Sequence, residues 1–187
     1  VIFILGANTT ESHPVFGAAI KRAQKRGAKL IVADPRRIEL AQRADIHLQM
    51  LPGTDVVLLN AMAHHIFAKG LEDVKFIESR THGIDALREA VAPYTPEMAE
   101  TITGVPAATI REAAELYARG PRSATLWAMG LTQHHTGTDI VTTLLNLLLI
   151  AGMIGRWGAA MNPMRGQNNV QGASDAGAIP MSYPDYL

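Results

Sequence analysis

The sequence predicts an α/β fold with a mostly parallel sheet flanked by helices, and three observations carry that prediction. Apolar, β-branched runs (VIFIL at 1–5, KLIVA at 29–33) stop abruptly at glycine or aspartate, as strands buried on both faces do. Between them lies a helical stretch with Pro14 at its start and Gly27 at its end, the N-terminal proline and C-terminal glycine expected of a helix. Two strands joined by a helix within about 33 residues form a β-α-β unit, so the pair is parallel with a right-handed crossover.

The remaining elements follow in order. The first helix spans residues 14–26, with Ser12 or His13 near its cap. After Asp34 the chain turns, and residues 46–50 form a short third strand punctuated by Pro52 and Gly53. Val56, Leu59, Ala63 and Ile66 recur at helical spacing and mark the apolar face of the next helix. Helices are expected over 73–79, 84–91, 96–102 and 106–118, separated by proline and glycine. Residues 123–129 form a fourth strand ending at Gly130. Residues 137–151 form a helix apolar on nearly all sides, hence a buried one. From Gly152 onward glycine, asparagine, glutamine and proline dominate, which predicts an irregular stretch held by its surroundings.

Composition narrows the function. Of 187 residues, 48 % are apolar and 18 % charged, which excludes a disordered chain. Seventeen basic residues balance seventeen acidic ones, which argues against an electrostatic surface for nucleic acid or anionic membrane. With no cysteine, thiolate metal sites, iron–sulfur ligation and cysteine nucleophiles are absent from this segment. The longest apolar stretch, 144–154, is broken by Asn146 and Gly152 and falls short of the roughly 20 residues of a membrane span. The chain opens inside a strand without an initiator methionine, which predicts an excised piece of a longer protein.

In open parallel sheets the ligand sits beyond the carboxyl ends of the strands, where strand order reverses. Four polar tails therefore converge on one rim: Gly6 to Pro14, Asp34 to Arg37, Pro52 to Asp55, and Gly130 to His134. The first is not G-x-G-x-x-G, which counts against a simple nicotinamide dehydrogenase. Asp34 stands where a carboxylate accepts from ribose hydroxyls, or is a turn residue before proline. Asn8, Glu11 and Ser12 lie just ahead of a helix start and suit a diphosphate or its sugar. Asp55 opens a helix, so it either caps it or accepts from the N1–H and amine of a guanine edge.

The seven histidines form no H-x-x-x-H pattern, and adjacent pairs on a helix point about 100° apart, so no metal site is expected. Ser174 within GASDA lacks the preceding strand of a nucleophile elbow. The densest signal is residues 162–172, NPMRGQNNVQG. An arginine fixed among amides and glycines suits a small carboxylate, which a guanidinium binds bidentately; Arg165 is that residue.

Five segments, MRGQNNVQGASDAG (164–177), ADPRR (33–37), LPGTDVVLLNAM (51–62), ITGVPAATIREAAELYA (102–118) and WAMGLTQHHTG (127–137), together resemble the catalytic alpha subunit of molybdenum- or tungsten-dependent formate dehydrogenases. These belong to the molybdopterin oxidoreductase (DMSO reductase) superfamily. The resemblance spans essentially the whole chain. It implies a bis(molybdopterin guanine dinucleotide) cofactor with Mo or W, one of whose dinucleotides is held by a Rossmann-like domain over residues 1–187. Within it, residues 158–187 would be an irregular active-site segment leading to a neighbouring domain.

Carried over by the resemblance, Asn8, Glu11, Ser12, Asp34, Pro35, Arg36, Gly53 and Asp55 contact the guanosine diphosphate part. Met129, Gly130 and Gln133 lie along the pterin side, Arg165 orients formate beside the metal, and Gln167 supports the pterin. The metal-ligating cysteine or selenocysteine and the iron–sulfur cluster belong elsewhere in the parent subunit. The expected partners are formate, the remaining domains of that subunit and electron-transfer subunits. The isolated piece is expected to be inactive. Two further readings stay open: a superfamily member with another substrate, such as a nitrate reductase or respiratory-complex subunit, and a stand-alone guanine-nucleotide-binding module.

Overall fold

The computed structural model describes residues 1–179 and 181–183. Residues 180 and 184–187, the tail of the expected irregular segment, lie outside the described residues. The chain runs β1 (Ile2–Leu5), α1 (Thr9–Ser12), α2 (Pro14–Lys25), β2 (Leu30–Ala33), α3 (Glu39–Arg43), β3 (Ile46–Leu48) and α4 (Asp55–Ala68). It continues through α5 (Val74–Arg80), α6 (Ile84–Val91), α7 (Pro96–Thr103), α8 (Ala107–Arg119), β4 (Ala124–Trp127), α9 (Met129–Thr132), α10 (Gly137–Ile150), β5 (Met161–Pro163) and α11 (Val170–Asp175).

The five strands form one sheet in the order β3-β2-β1-β4-β5, and every pairing is parallel. Because successive side chains of a strand point to opposite faces, β1 serves two cores. Phe3 and Leu5 join the larger one, built with α4, α8 and α10. Ile4 joins the smaller one with Leu30, Val32, Ile20 of α2 and Leu40 of α3. Helices thus cover both faces, as an all-parallel sheet requires. α4 is buried around most of its circumference, from Leu58 and Leu59 to Met62, His65 and Ile66, because α7, α8 and α10 all pack on it. Tyr117 of α8 meets Phe3 of the central strand edge-on at 5.6 Å, and its hydroxyl lies 3.0 Å from Thr125 Oγ1 of β4, joining the helix to both strands.

Two expectations need correction. The fourth strand ends at Trp127, not at 129, because Met129 already opens the single turn α9. The stretch after Gly152 is not wholly irregular. Met161–Pro163 joins the sheet as β5, pairing Thr125 with Met161 and Trp127 with Pro163. A proline is tolerated there because an edge strand has no further neighbour to receive its missing N–H. Val170–Asp175 forms α11, entered through Asn169 at φ 52°, a left-handed conformation that asparagine tolerates better than most residues.

Candidate functional site

Strand order reverses between β1 and β4: the chain leaves β1 for β2 on one side, and β4 fills the other. The tails leaving β1 and β4 touch at their glycines. Gly6, at φ +52°, accepts the Gly130 N–H through its carbonyl at 3.1 Å. A Cβ on Gly130 would stand 2.5 Å from the Gly6 oxygen, closer than any side chain permits. Beyond this contact a cavity of about 470 Å³ opens at the carboxyl edge of the sheet.

All four tails reach it. Asn8 and Ser12 line it from the β1 side, Asp34, Pro35 and Arg36 from β2, Gly53 and Asp55 from β3, and Met129 and Gly130 from β4. His13 and His134, present in the expected tails but given no role there, line it as well, as do Met50 and Gly166, which sequence reasoning missed. Glu11 and Gln133 do not line it. Glu11 is exposed on the single turn α1, and the Gln133 amide turns to Met129 Sδ at 3.5 Å.

Two buried carboxylates define the electrostatics. Asp34 accepts the Arg36 N–H on Oδ1 at 2.8 Å, so it is a turn residue, yet the same carboxylate walls the cavity; the two readings coexist. Arg36 Nε lies 3.8 Å from it. Asp55 is 2 % exposed and is not the cap of α4: Thr54 holds that position, and its hydroxyl donates to Leu51 O at 2.7 Å. Asp55 Oδ1 is buried with no hydrogen-bond partner among the described residues. Burial pushes the Asp55 carboxyl up, and nearby Asp34 adds to the shift; its own backbone N–H and His134 oppose it. An orphaned acceptor of this kind in a cavity is what a ligand N–H would satisfy.

A second cavity of about 380 Å³ adjoins the first, sharing Ala128, Met129 and Gly166 with it. Arg165 and Gln167 line this one, with Trp127 and Val170. The guanidinium Nη2 of Arg165 donates to Gln171 Oε1 at 2.9 Å, and the Gln171 amide donates to Asp175 Oδ1 at 2.9 Å. Apart from Glu11 and Gln133, which line neither, the expected residues divide between two neighbouring cavities, with Met129 on the wall between them. Among the described residues no three His, Cys, Asp or Glu side chains gather to hold a metal ion, and no helix is long and apolar enough to cross a membrane.

Comparison with known proteins places this architecture. The family model for molybdopterin oxidoreductases matches residues 1–186. The chain belongs to the molybdopterin oxidoreductase family. It is 46 % identical over 186 residues to formate dehydrogenase H of Escherichia coli, covering 100 % of this chain and 26 % of that protein. It is 48 % identical over 185 residues to the F420-dependent formate dehydrogenase subunit alpha of Methanocaldococcus jannaschii, covering 99 % and 28 %. The chain thus spans about a quarter of the length of these curated relatives. Among solved structures, acetylene hydratase from Pelobacter acetylenicus superposes with a TM-score of 0.80 at 32 % identity, over 84 % of this chain and 22 % of that one. No G-x-G-x-x-G loop is needed in this sheet, because the tails after β1, β2, β3 and β4, rather than one glycine-rich turn, build the cavity.

Proposed function

We propose that this chain is the dinucleotide-binding domain of a formate dehydrogenase catalytic subunit. The observation that carries the reading is the pairing of two cavities, one walled by the buried carboxylates Asp34 and Asp55 and the next by Arg165. In the first, one guanine dinucleotide of a bis(molybdopterin guanine dinucleotide) cofactor would be held. The fit is chemical: the unpartnered Asp55 Oδ1 matches the N–H donors of a guanine edge, Asp34 accepts from ribose hydroxyls, and Arg36 lies near enough to the cavity to neutralise a diphosphate. Asn8, Ser12, Pro35 and Gly53 complete that wall. Glu11, outside the cavity, is the weaker part of the set. Met129, Gly130, Gln133 and Gln167 would lie toward the pterin.

The bound cofactor supplies the two-electron redox centre, with Mo or W as its metal. This chain's own residues bind and orient. Arg165 would take the formate carboxylate through two parallel N–H donors and fix the direction of its C–H bond. Gln171 holds one arm of that guanidinium, so less side-chain freedom is lost when formate arrives. Oxidation of formate then yields CO₂, one proton and two electrons. The electrons would leave through an iron–sulfur cluster elsewhere in the parent subunit to electron-transfer partner subunits. Residues 1–187 act as one domain, with 158–187 carrying Arg165 toward its neighbour.

Formate-dependent reduction of a viologen dye by the full-length parent tests the reading. Arg165→Ala with unchanged metal content is expected to lose at least about 100-fold in kcat/KM, the scale of losing a charged, substrate-orienting group. Full activity in the variant, or none in a fully metallated wild type, would sink it. The likeness to acetylene hydratase shows that the same fold serves another substrate in that protein; inert wild type toward formate would favour that second reading.

A further inference from the structure

The chain also ties Arg165 to the dinucleotide cavity, through a lining residue to which no role has yet been given. His13 sits at the corner between α1 and α2, closing one helix and opening the other. Its Nε2 lies 2.7 Å from the carbonyl oxygen of Arg165, 152 positions away. A carbonyl only accepts, so Nε2 carries the proton. In the neutral ring Nδ1 is then a lone pair, and it is buried with no hydrogen-bond partner among the described residues.

The surroundings show why this bond matters. The sheet holds the segment as far as Met164, which is buried and donates to Trp127 O at 2.8 Å. Regular structure resumes only at α11. Between these anchors Arg165, Gly166, Gln167 and Asn168 are exposed, and Gly166 has no side chain to restrain it. The His13 corner is rigid by comparison. Its backbone N–H donates to Thr9 O at 3.1 Å, its carbonyl accepts from the Gly17 N–H at 2.9 Å, and its ring packs edge-on against Phe16. His13 also lines the first cavity, whereas Arg165 lines the second.

We infer that His13 is a positioning residue for Arg165: by donating Nε2–H to the Arg165 carbonyl, it clamps the Arg165 segment onto the wall of the dinucleotide cavity. The placement of the formate-binding guanidinium is thereby fixed to the loop that contacts the cofactor. This rests on the proposed role of Arg165 for its functional consequence, but the clamp itself has a separate readout.

The test uses the full-length enzyme and three variants. His13→Phe keeps an aromatic ring and removes the donor; His13→Gln restores an N–H donor at the ε position; His13→Phe/Arg165→Ala closes a double-mutant cycle. Hydrogen exchange of peptides covering 164–172, read with and without cofactor, is expected to quicken about tenfold in His13→Phe and to return toward wild type in His13→Gln. At equal metal content, His13→Phe is expected to lower kcat/KM for formate about tenfold, mainly through KM, with His13→Gln within about threefold of wild type. In the Arg165→Ala background, His13→Phe is expected to add nothing. Unchanged exchange in His13→Phe, or fully additive losses in the cycle, overturns the clamp. If Arg165→Ala alone leaves formate kinetics intact, the proposed function fails, and the exchange result still decides whether the clamp exists.

Discussion

The carbonyl of Gly6 accepts the N–H of Gly130 at 3.1 Å, and neither residue has room for a single carbon more. This contact joins the two tails that flank the reversal of strand order and forms the floor of the candidate site. Gly130→Ala should push the β1 and β4 tails apart. Overpacking of this kind costs about 1–3 kcal/mol, and Gly6→Ala adds about 1–2 kcal/mol because its φ of +52° lies in the left-handed region. Thermal melting of the full-length protein checks both, together with cofactor content, which should fall more than the melting temperature suggests. Unchanged cofactor loading in Gly130→Ala would contradict the placement of the site.

Asp55 makes a pH prediction of definite sign. Its carboxyl is raised by burial and by Asp34, so the folded state holds the proton more tightly than the unfolded state does. Its contribution to stability is therefore fully present below the ordinary carboxylate range and is lost as pH rises through the raised value. Asp55→Asn should stabilise the cofactor-free protein at neutral pH, match wild type in acid, and weaken binding of a guanine nucleotide about tenfold or more. Melting curves across pH and nucleotide titration separate the two effects; tighter nucleotide binding by the variant would refute the role assigned to Asp55.

Asp45 behaves in the opposite sense. Burial alone would raise its carboxyl, but Lys29 at 2.6 Å and the Leu30 N–H at 2.9 Å hold it below its usual value. The stability it contributes is present above the unfolded pKa and is lost as pH falls through the folded one. Asp45→Asn should cost about 1 kcal/mol near neutrality, a shift of roughly 2–4 °C in melting temperature. The deficit should shrink in acid; a constant deficit across pH would show that packing, not charge, is responsible.

Tyr117 links α8 to the centre of the sheet. Replacing it with phenylalanine keeps the edge-on contact with Phe3 and strands the buried Thr125 hydroxyl, at a cost of about 1–2 kcal/mol. Burial also drives the Tyr117 phenol far upward, so the wild type should lose stability as pH rises past the ordinary tyrosine range, while Tyr117→Phe should lack that contribution. Alkaline denaturation curves of the two proteins give the comparison.

Much of this was legible in the residues because strong local signals agreed with the tertiary outcome. Continuous apolar runs named β1 and β2, and helix 84–91 matches α6 end to end. β5 left no such mark. Met161, Asn162 and Pro163 include no β-branched residue, and the strand exists because Thr125 to Trp127 offer it an edge. The turns α1 and α9 have four residues each, too few for periodicity, and they swing Glu11 and Gln133 away from the cavity. Asp34 and Asp55 were readable because a carboxylate just after a strand, or at the start of the helix that follows one, lies at the rim by topology alone. His13 was not: its partner lies 152 positions away, and no local pattern encodes such a bond.

The central place of β1 also bears on how the molecule is made. Ile2 pairs with Ala124 as well as with Leu30, so during synthesis this strand keeps one bare flank until more than a hundred further residues emerge. At about 5–20 residues per second that delay is on the order of 6–25 seconds. Throughout it, β1, β2 and β3 form a sheet with an apolar open edge and half a cavity. A nascent chain stalled before β4 should therefore recruit a chaperone, and cofactor loading should begin only once translation has passed Trp127.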